Sequence, residues 1–477
     1  MKIIIIGAGQ VGSSVAESLL SEENDITVVD QDEDVLSDLQ NRLDLRTIAG
    51  NGVHPSILVQ AGAQDADLLV AVTQSDQSNL AACKVAQSIF NIPTRIARLR
   101  AHDFLEDERL LSKEVFAVDF ALCPERIITD YIVRLVQFPE ALQVLDFVGG
   151  RVSLVAVRAV RDGLVVGKPL KTLREHLPLG MDARIVAIYR NNHPIMPEGE
   201  TQIQPGDEVF VLAAAEHIRP VMREMRRMMQ PVRRIMIVGG GNIGMRAAAA
   251  LEREYEVKVL ENRTAQAEFI ADYLKNSLVL EGSGTDEELL EQENIGEMDL
   301  FLALTNDDEN NIMAASLAKR MGCKRAVALI NRHAYADMAQ GGPVDICISP
   351  AYVSIGVLLA RIRRGDVAAV HSLRRGAAEA LDIVAHGDPG NSKVVGKRIR
   401  DIHWPEGVTV AALVRNLTAV ESLEVRDDGT VDRRLGHVEI AHGDSVIQSG
   451  DHVIIFCIKK KLVRKIEQLF QVGFHFF

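Results

Sequence analysis

At the start of the chain, short apolar runs alternate with longer stretches in which apolar side chains return every three or four positions. Lys2 to Ile6, Asp25 to Val29, Arg46 to Ala49 and Leu68 to Val72 all have strand length, and helical periodicity intervenes. Such an order predicts βα units and a parallel sheet. Further on the pattern becomes strand-rich, punctuated by Gly-Asp turns such as Gln204-Pro205-Gly206-Asp207. No apolar run approaches the roughly 18 residues needed to cross a bilayer. Met1-Lys2 leads at once into Ile3-Ile4-Ile5-Ile6 and a glycine turn, so neither a membrane span nor a signal peptide is expected.

The whole pattern occurs twice. Gly7-Ala8-Gly9-Gln10-Val11-Gly12 returns 232 residues later (7 to 239) as Gly239-Gly240-Gly241-Asn242-Ile243-Gly244. At the same spacing, Asp67 to Thr73 answers Asp299 to Thr305, and Asp76 and Asn79 answer Asp308 and Asn311. The strand-rich blocks also correspond: Val166-Gly167-Lys168 with Val395-Gly396-Lys397, and Gln204 to Val209 with Gln448 to Val453. The second copy is longer between Arg415 and Gly450, where Asp427-Asp428-Gly429-Thr430 predicts the turn of an extra hairpin or loop. Helices are expected over Glu125 to Phe138 and Tyr352 to Arg363, joining the blocks within each half after Pro124 and Pro350. A third, Val221 to Gln230, should end at Pro231 and join the halves.

Composition narrows the function. The 477 residues are 25% charged and 47% hydrophobic, enough for several packed domains. With Lys plus Arg at 53 against Asp plus Glu at 66, the net charge is −13, and a nucleic-acid partner is not expected. The five cysteines are scattered and never spaced C-x-x-C, which predicts buried thiols in a reducing compartment rather than disulfides or zinc.

Each glycine motif follows an apolar strand and opens a helix, the context in which G-x-G-x-x-G marks a dinucleotide loop. The helix N-terminus then offers unpaired N–H groups to a phosphate. The second strand of each half ends in a carboxylate, Asp30 or Glu261, placed to accept hydrogen bonds from ribose hydroxyls and to repel a 2′-phosphate. NAD or an adenosine nucleotide is thus favoured over NADP. Gly50-Asn51-Gly52 and Gly282-Ser283-Gly284 follow the third strands, and Thr73-Gln74-Ser75-Asp76 and Thr305-Asn306-Asp307-Asp308 follow the fourth. Ser75, Asp76, Asp307 and Asp308 precede helices, and capping competes with ligand binding as their role. The pockets differ at the fifth strand, where Arg98 and Arg100 align with Leu329 and Asn331. An arginine pair binds polyphosphate bidentately, so the first site should take more negative charge, with Arg332 a partial substitute in the second.

Chemistry for catalysis is not evident. His54, His102 and His333 read as surface or capping histidines, and neither a nucleophile elbow nor a Walker-type loop occurs. The chain is expected not to be an enzyme, although an NAD-dependent oxidoreductase with an unrecognised substrate site stays open.

The order of motifs resembles the tandem regulator-of-potassium-conductance (RCK) family, specifically the cytoplasmic regulatory subunits of bacterial Trk potassium uptake systems. The segments that carry the resemblance are Ile5 to Gly12, Asn24 to Asp30, Ile235 to Gly244, Thr305 to Asn311 and His371 to Gly376. It implies an α/β fold: two tandem copies of a Rossmann-like RCK N-lobe with a parallel sheet, each followed by a small α/β RCK C-lobe. The implied domains are 1–123, 140–226, 232–349 and 368–460. It implies NAD(H) and ATP/ADP as ligands. The first site would use Gly7, Ala8, Gly9, Gln10, Val11, Asp30, Asn51, Thr73, Gln74, Arg98 and Arg100, and the second Gly239, Gly240, Gly241, Asn242, Ile243, Glu261 and Thr305. It further implies a homotetrameric ring, peripheral on the inner face of the cell membrane, gating a Trk-type potassium-transporting membrane subunit. The sequence departs from the resemblance in lacking the arginine pair in its second half and in the insertion before Gly450.

Overall fold

A computed structural model describes residues 1–20, 24–178, 180–225, 230–339, 342, 344–363, 367–373, 378–415, 424–425, 431–432 and 437–472. The chain divides into two compact units that gather like with like: Met1–Val133 with Val232–Ile362, and Arg134–Pro231 with Arg363–Phe477.

The first unit holds two Rossmann-like lobes. The strands of lobe one are Lys2–Ile6, Asp25–Asp30, Arg46–Ala49, Leu68–Ala71, Thr94–Arg98 and Phe120–Leu122. Those of lobe two are Arg234–Val238, Glu256–Glu261, Leu278–Glu281, Leu300–Ala303, Ala326–Leu329 and Ile346–Ile348. In each sheet the order is third, second, first, fourth, fifth, sixth, and the paired strands run parallel. The first and fourth strands are the neighbours at which the order reverses, the topological switch point where ligands of such sheets bind. Ile3, Ile4, Ile5 and Ile6 are all buried, as both faces of a parallel strand must be. Asp30 and Glu261 close their strands from within, one residue later than the apolar pattern predicts.

The helices that join the blocks run Pro124–Gln137 and Pro350–Ile362, each starting at its proline, slightly earlier than expected. Proline fits there because the first helical N–H has no intrahelical acceptor. Pro350–Ile362 packs across the unit against Gln10–Leu20 of lobe one.

Among its described residues, the second unit holds two antiparallel sheets of five strands and a two-stranded one. Ala141–Phe147, Val152–Arg158, Ala183–Arg190, His193–Ile195 and Glu208–Ala214 form one; Val367–Leu373, Ala378–Val384, Val408–Arg415, His437–Ile440 and His452–Cys457 form the other. Both have the order first, second, fifth, third, fourth. The insertion replaces the tight turn Asn191-Asn192 of the first copy and carries Glu424–Val425 paired antiparallel with Val431–Asp432. The turn expected at Asp427 to Thr430 lies outside the described residues. The helix expected from Val221 begins earlier, at Ile218, because Pro220 sits in its first turn; it is described to Met225, and 226–229 lie outside the described residues. The Arg374-Arg375-Gly376 part of the fourth lobe's motif also lies outside them. Among the described residues, no helix is long and apolar enough to cross a membrane. Cys83, Cys123, Cys323 and Cys457 are buried.

Candidate functional site

The two glycine loops open onto a single cavity of about 1330 Å³ within the first unit. In each loop the first glycine has a left-handed backbone, with φ +104° at Gly7 and +100° at Gly239. An added Cβ at Gly12 or Gly244 would lie 1.8 Å from the carbonyl oxygen of Gly7 or Gly239. The third glycine therefore lets the helix sit closely on its own loop. At Gly9 and Gly241 a Cβ would meet nothing within 4 Å, because these residues face the cavity. That open space above a helix N-terminus suits a phosphate group.

The two expected ribose carboxylates are placed alike and held differently. Asp30 accepts the Ala8 N–H at 2.6 Å and the Asp32 N–H at 3.1 Å. Glu261 accepts the Gly240 N–H at 2.8 Å and the Arg263 N–H at 3.0 Å. Glu261 is one methylene longer, and a Cβ on Gly240 would meet its Oε2 at 3.1 Å and Ile270 at 2.1 Å. The pairs Ala8 with Asp30 and Gly240 with Glu261 are thus matched in size. Ala8 and Gly240 brace these carboxylates from behind, whereas the other expected residues, Gly7, Gly9, Gln10, Val11, Asp30, Asn51, Thr73, Gln74, Arg98, Arg100, Gly239, Gly241, Asn242, Ile243, Glu261 and Thr305, all line the cavity.

Thr73 and Thr305 are positioned by residues whose role the sequence pattern does not reveal. Asn79 is fully buried; its Oδ1 accepts from Thr73 N at 2.9 Å and Thr73 Oγ1 at 2.8 Å, and its Nδ2 donates to the Arg98 carbonyl at 2.9 Å. Asn311 repeats this with Thr305 and the Leu329 carbonyl. One amide therefore ties the fourth-strand loop to the fifth strand. Ser75 and Asp307 are helix caps, accepting from Ser78 N and Asn310 N. Asp76 and Asp308 are not: each is buried and accepts backbone N–H groups of the fifth-strand loop, Arg100 and Ala101 or Asn331 and Arg332.

Charge distinguishes the two ends of the cavity. Arg98 Nη2 lies 3.1 Å and Arg100 Nε 3.5 Å from Oε1 of Glu125, in the first turn of Pro124–Gln137. Burial pulls the Arg98 pKa below the usual guanidinium value, and the Glu125 charge opposes that pull. Arg98 Nε is buried without a hydrogen-bond partner. Glu125 was not expected from the sequence. Its signal is in the repeat: Pro124-Glu125 answers Pro350-Ala351, so lobe two presents Leu329, Asn331 and Ala351 where lobe one presents Arg98, Arg100 and Glu125. The charged set is replaced as a whole. Arg332 does not compensate: it is exposed, does not line the cavity, and pairs with Glu309 at 2.9 Å because the loop aims it outward. Lobe two instead has Arg263 on the cavity, its Nε 3.1 Å from Glu261, where lobe one has the helix cap Asp32. His54 sits at a helix cap without a side-chain cap bond. Among the described residues no cluster of three or more His, Cys, Asp or Glu could hold a metal.

Comparison with known proteins repeats the duplication for the Rossmann-like lobes. The TrkA-N domain model matches residues 3–120 and again 235–350, and the TrkA-C domain model matches 154–226. The Trk system potassium uptake protein TrkA of Halomonas elongata is 51% identical over 477 residues, covering 100% of both chains. The protein of that name from Vibrio alginolyticus is 50% identical, over 99% of both. Among solved structures, the crystal structure of the GsuK RCK domain aligns with a TM-score of 0.60 at 17% identity, over 98% of this chain and 94% of that one, a likeness of fold.

Proposed function

The chain belongs to the TrkA family of Trk potassium uptake proteins, and from that premise we propose that it is a nucleotide-binding regulatory subunit that gates a Trk-type potassium transporter in response to NAD(H) and ATP/ADP. It is a non-enzymatic subunit in this reading. The observation that carries the proposal is the shared cavity with two phosphate loops and unequal charge.

In lobe one the loop Gly7 to Val11 would hold the phosphates, Asp30 the ribose, and Arg98 with Arg100 the terminal phosphates of a triphosphate. In lobe two, Gly239 to Ile243 and Glu261 would hold a ligand with less terminal charge. NAD(H) and ATP then differ in what they ask of one cavity, and a ligand that binds two conformations unequally shifts the balance between them. A homotetrameric ring on the inner face of the membrane, four copies beneath the potassium-transporting partner, would sum that difference over several sites. Moving a conformational equilibrium from 1:99 to 99:1 takes roughly 5.5 kcal/mol in all, a modest amount per site when shared.

The test is potassium flux into liposomes holding the Trk-type membrane subunit, with this chain and ATP, ADP or NADH added in turn. Flux is expected to require the chain and to differ between nucleotides. Flux indifferent to both the chain and the nucleotide would overturn the reading.

A further inference from the structure

Within the first unit, the surfaces formed by the second helix and third strand of the two lobes are built alike and faced differently. In lobe two they are Thr264–Tyr273 and Leu278–Glu281, and in lobe one Glu33–Arg42 and Arg46–Ala49. The helices align through their buried positions, Leu36 with Ala267 and Leu39 with Ile270, and the strands through their pairing, Arg46 opposite Thr27 and Leu278 opposite Lys258. Under this alignment the exposed residues Asp38, Arg42 and Arg46 of lobe one correspond to Phe269, Tyr273 and Leu278 of lobe two. These three are 56%, 54% and 49% exposed, so lobe two turns to solvent two aromatic rings and a leucine where lobe one turns three charges.

Exposed apolar side chains scattered singly are ordinary, but a cluster with two aromatics one helical turn apart marks a contact surface. The strand sharpens the point. Leu278–Glu281 is the outermost strand of its sheet, as is Arg46–Ala49. A charged side chain such as Arg46 guards such an edge against pairing with another chain, and Leu278 leaves it open. The rim is acidic. Exposed Glu268 and Asp272 run along the helix beside Phe269 and Tyr273, and exposed Glu281 ends the strand; Lys275 is the one basic residue in the intervening turn. In lobe one the positions of Glu268 and Asp272 are Ser37 and Asn41. At these two positions, acids therefore stand beside the aromatic residues on one copy of the element only.

We propose that the face made by Phe269, Tyr273 and Leu278, rimmed by Glu268, Asp272 and Glu281, docks a basic cytoplasmic segment of the potassium-transporting membrane partner. The inference rests on the proposed function for the partner's class and on charge complementarity for the segment. Cytoplasmic segments flanking membrane spans are enriched in Lys and Arg, and a segment of that kind with a few apolar anchors satisfies both parts of the face. The apolar anchors would supply affinity, and the acidic rim would steer approach.

Binding of the full chain to phosphatidylcholine liposomes holding the Trk-type membrane subunit tests this, read by sedimentation with empty liposomes as control. The decisive variant is Phe269→Asp with Tyr273→Arg and Leu278→Arg, which installs the set lobe one already carries in the same fold. It should lower affinity for the loaded liposomes about tenfold or more, while NADH affinity and the oligomeric mass in solution stay unchanged. A milder variant, Glu268→Lys with Asp272→Lys, should weaken binding at low salt and lose its effect at high salt. Wild-type chain that fails to bind loaded liposomes at all would overturn the proposed function together with this inference. Wild-type binding that the triple variant leaves intact would overturn the docking face alone. A triple variant that changes the oligomeric mass would assign the face to contacts between copies of the chain and also overturn it.

Discussion

Two glycines three residues apart separate folding from binding. A methyl group on Gly9 meets no protein atom, whereas one on Gly12 would be driven into the Gly7 carbonyl. Gly9→Ala is therefore expected to unfold in denaturant within roughly 0.5 kcal/mol of wild type, yet to lose nucleotide binding in lobe one by calorimetry. Gly12→Ala should instead lower stability by about 1–3 kcal/mol, the range for overpacking a close contact. Equal stability of the two variants would show that the loop is looser than its geometry. Asn79 offers a sharper case, since truncation leaves the Thr73 N–H and the Arg98 carbonyl without their buried partner. Asn79→Ala should cost about 1–3 kcal/mol and lower lobe-one affinity too, because the same amide sets the position of Thr73 and of the strand bearing Arg98. The sequence pairs Asn79 with Asn311 but cannot say why: neither is near the glycine loop in the chain, and only the parallel pairing of the fourth and fifth strands brings their carbonyl partners within reach.

The strands and helices of the Rossmann lobes were legible because each carries its own signal: an apolar run, a glycine turn, a proline at the first helical position. What was not legible depended on elements meeting. Glu125 begins a helix that in sequence looks like a joint, and it becomes part of the cavity because the sixth strand lies beside the fifth and delivers that helix next to Arg98. Arg98→Ala or Arg100→Ala should weaken ATP by roughly 1.5–3 kcal/mol, the worth of a charged hydrogen bond, and NADH by less. Calorimetry showing the same loss for both ligands would place the arginines away from the terminal phosphates. A second meeting of elements lies in the other unit, where the outer strands Ala141–Phe147 and Val367–Leu373 of the two antiparallel sheets touch. Gln143 Nε2 donates to the Ser372 carbonyl at 3.1 Å, and His371 Nε2 donates to the Asp146 carbonyl at 2.9 Å. Burial pushes the His371 pKa below its ordinary value, against the pull of the Asp146 and Asp382 charges. The unfolded chain then takes up the proton more readily than the folded one, so the stability from His371 is whole above about pH 6.5 and is lost as pH falls below it. The melting temperature should drop on acidification through that range, and by less in His371→Gln. An equal drop in both would assign the acid sensitivity elsewhere.

At the scale of the whole chain, duplication has been used to build each unit from both halves. The helix Gln10–Leu20 of the first half is covered by Pro350–Ile362 of the second, and the guanidinium of Arg361 lies 5.1 Å from the Phe120 ring centroid. A fragment ending at Pro231 lacks those partners and would expose the apolar surface they cover. It does carry Pro124–Gln137, the counterpart of Pro350–Ile362, and a second copy of the fragment can supply it reciprocally, since a twofold contact needs only one self-complementary surface. The fragment 1–231 is therefore expected to behave as a dimer of twice its mass by light scattering, with stability that rises with concentration. Such a dimer would have Arg98, Arg100 and Glu125 at both ends of its cavity, so its two sites should bind ATP alike, whereas the full chain should show one stronger and one weaker site. A fragment that stayed monomeric and unfolded at the same denaturant concentration as the intact chain would mean that the contacts between the halves contribute little. The unequal pockets would then reflect two independent lobes and not one cavity divided between them.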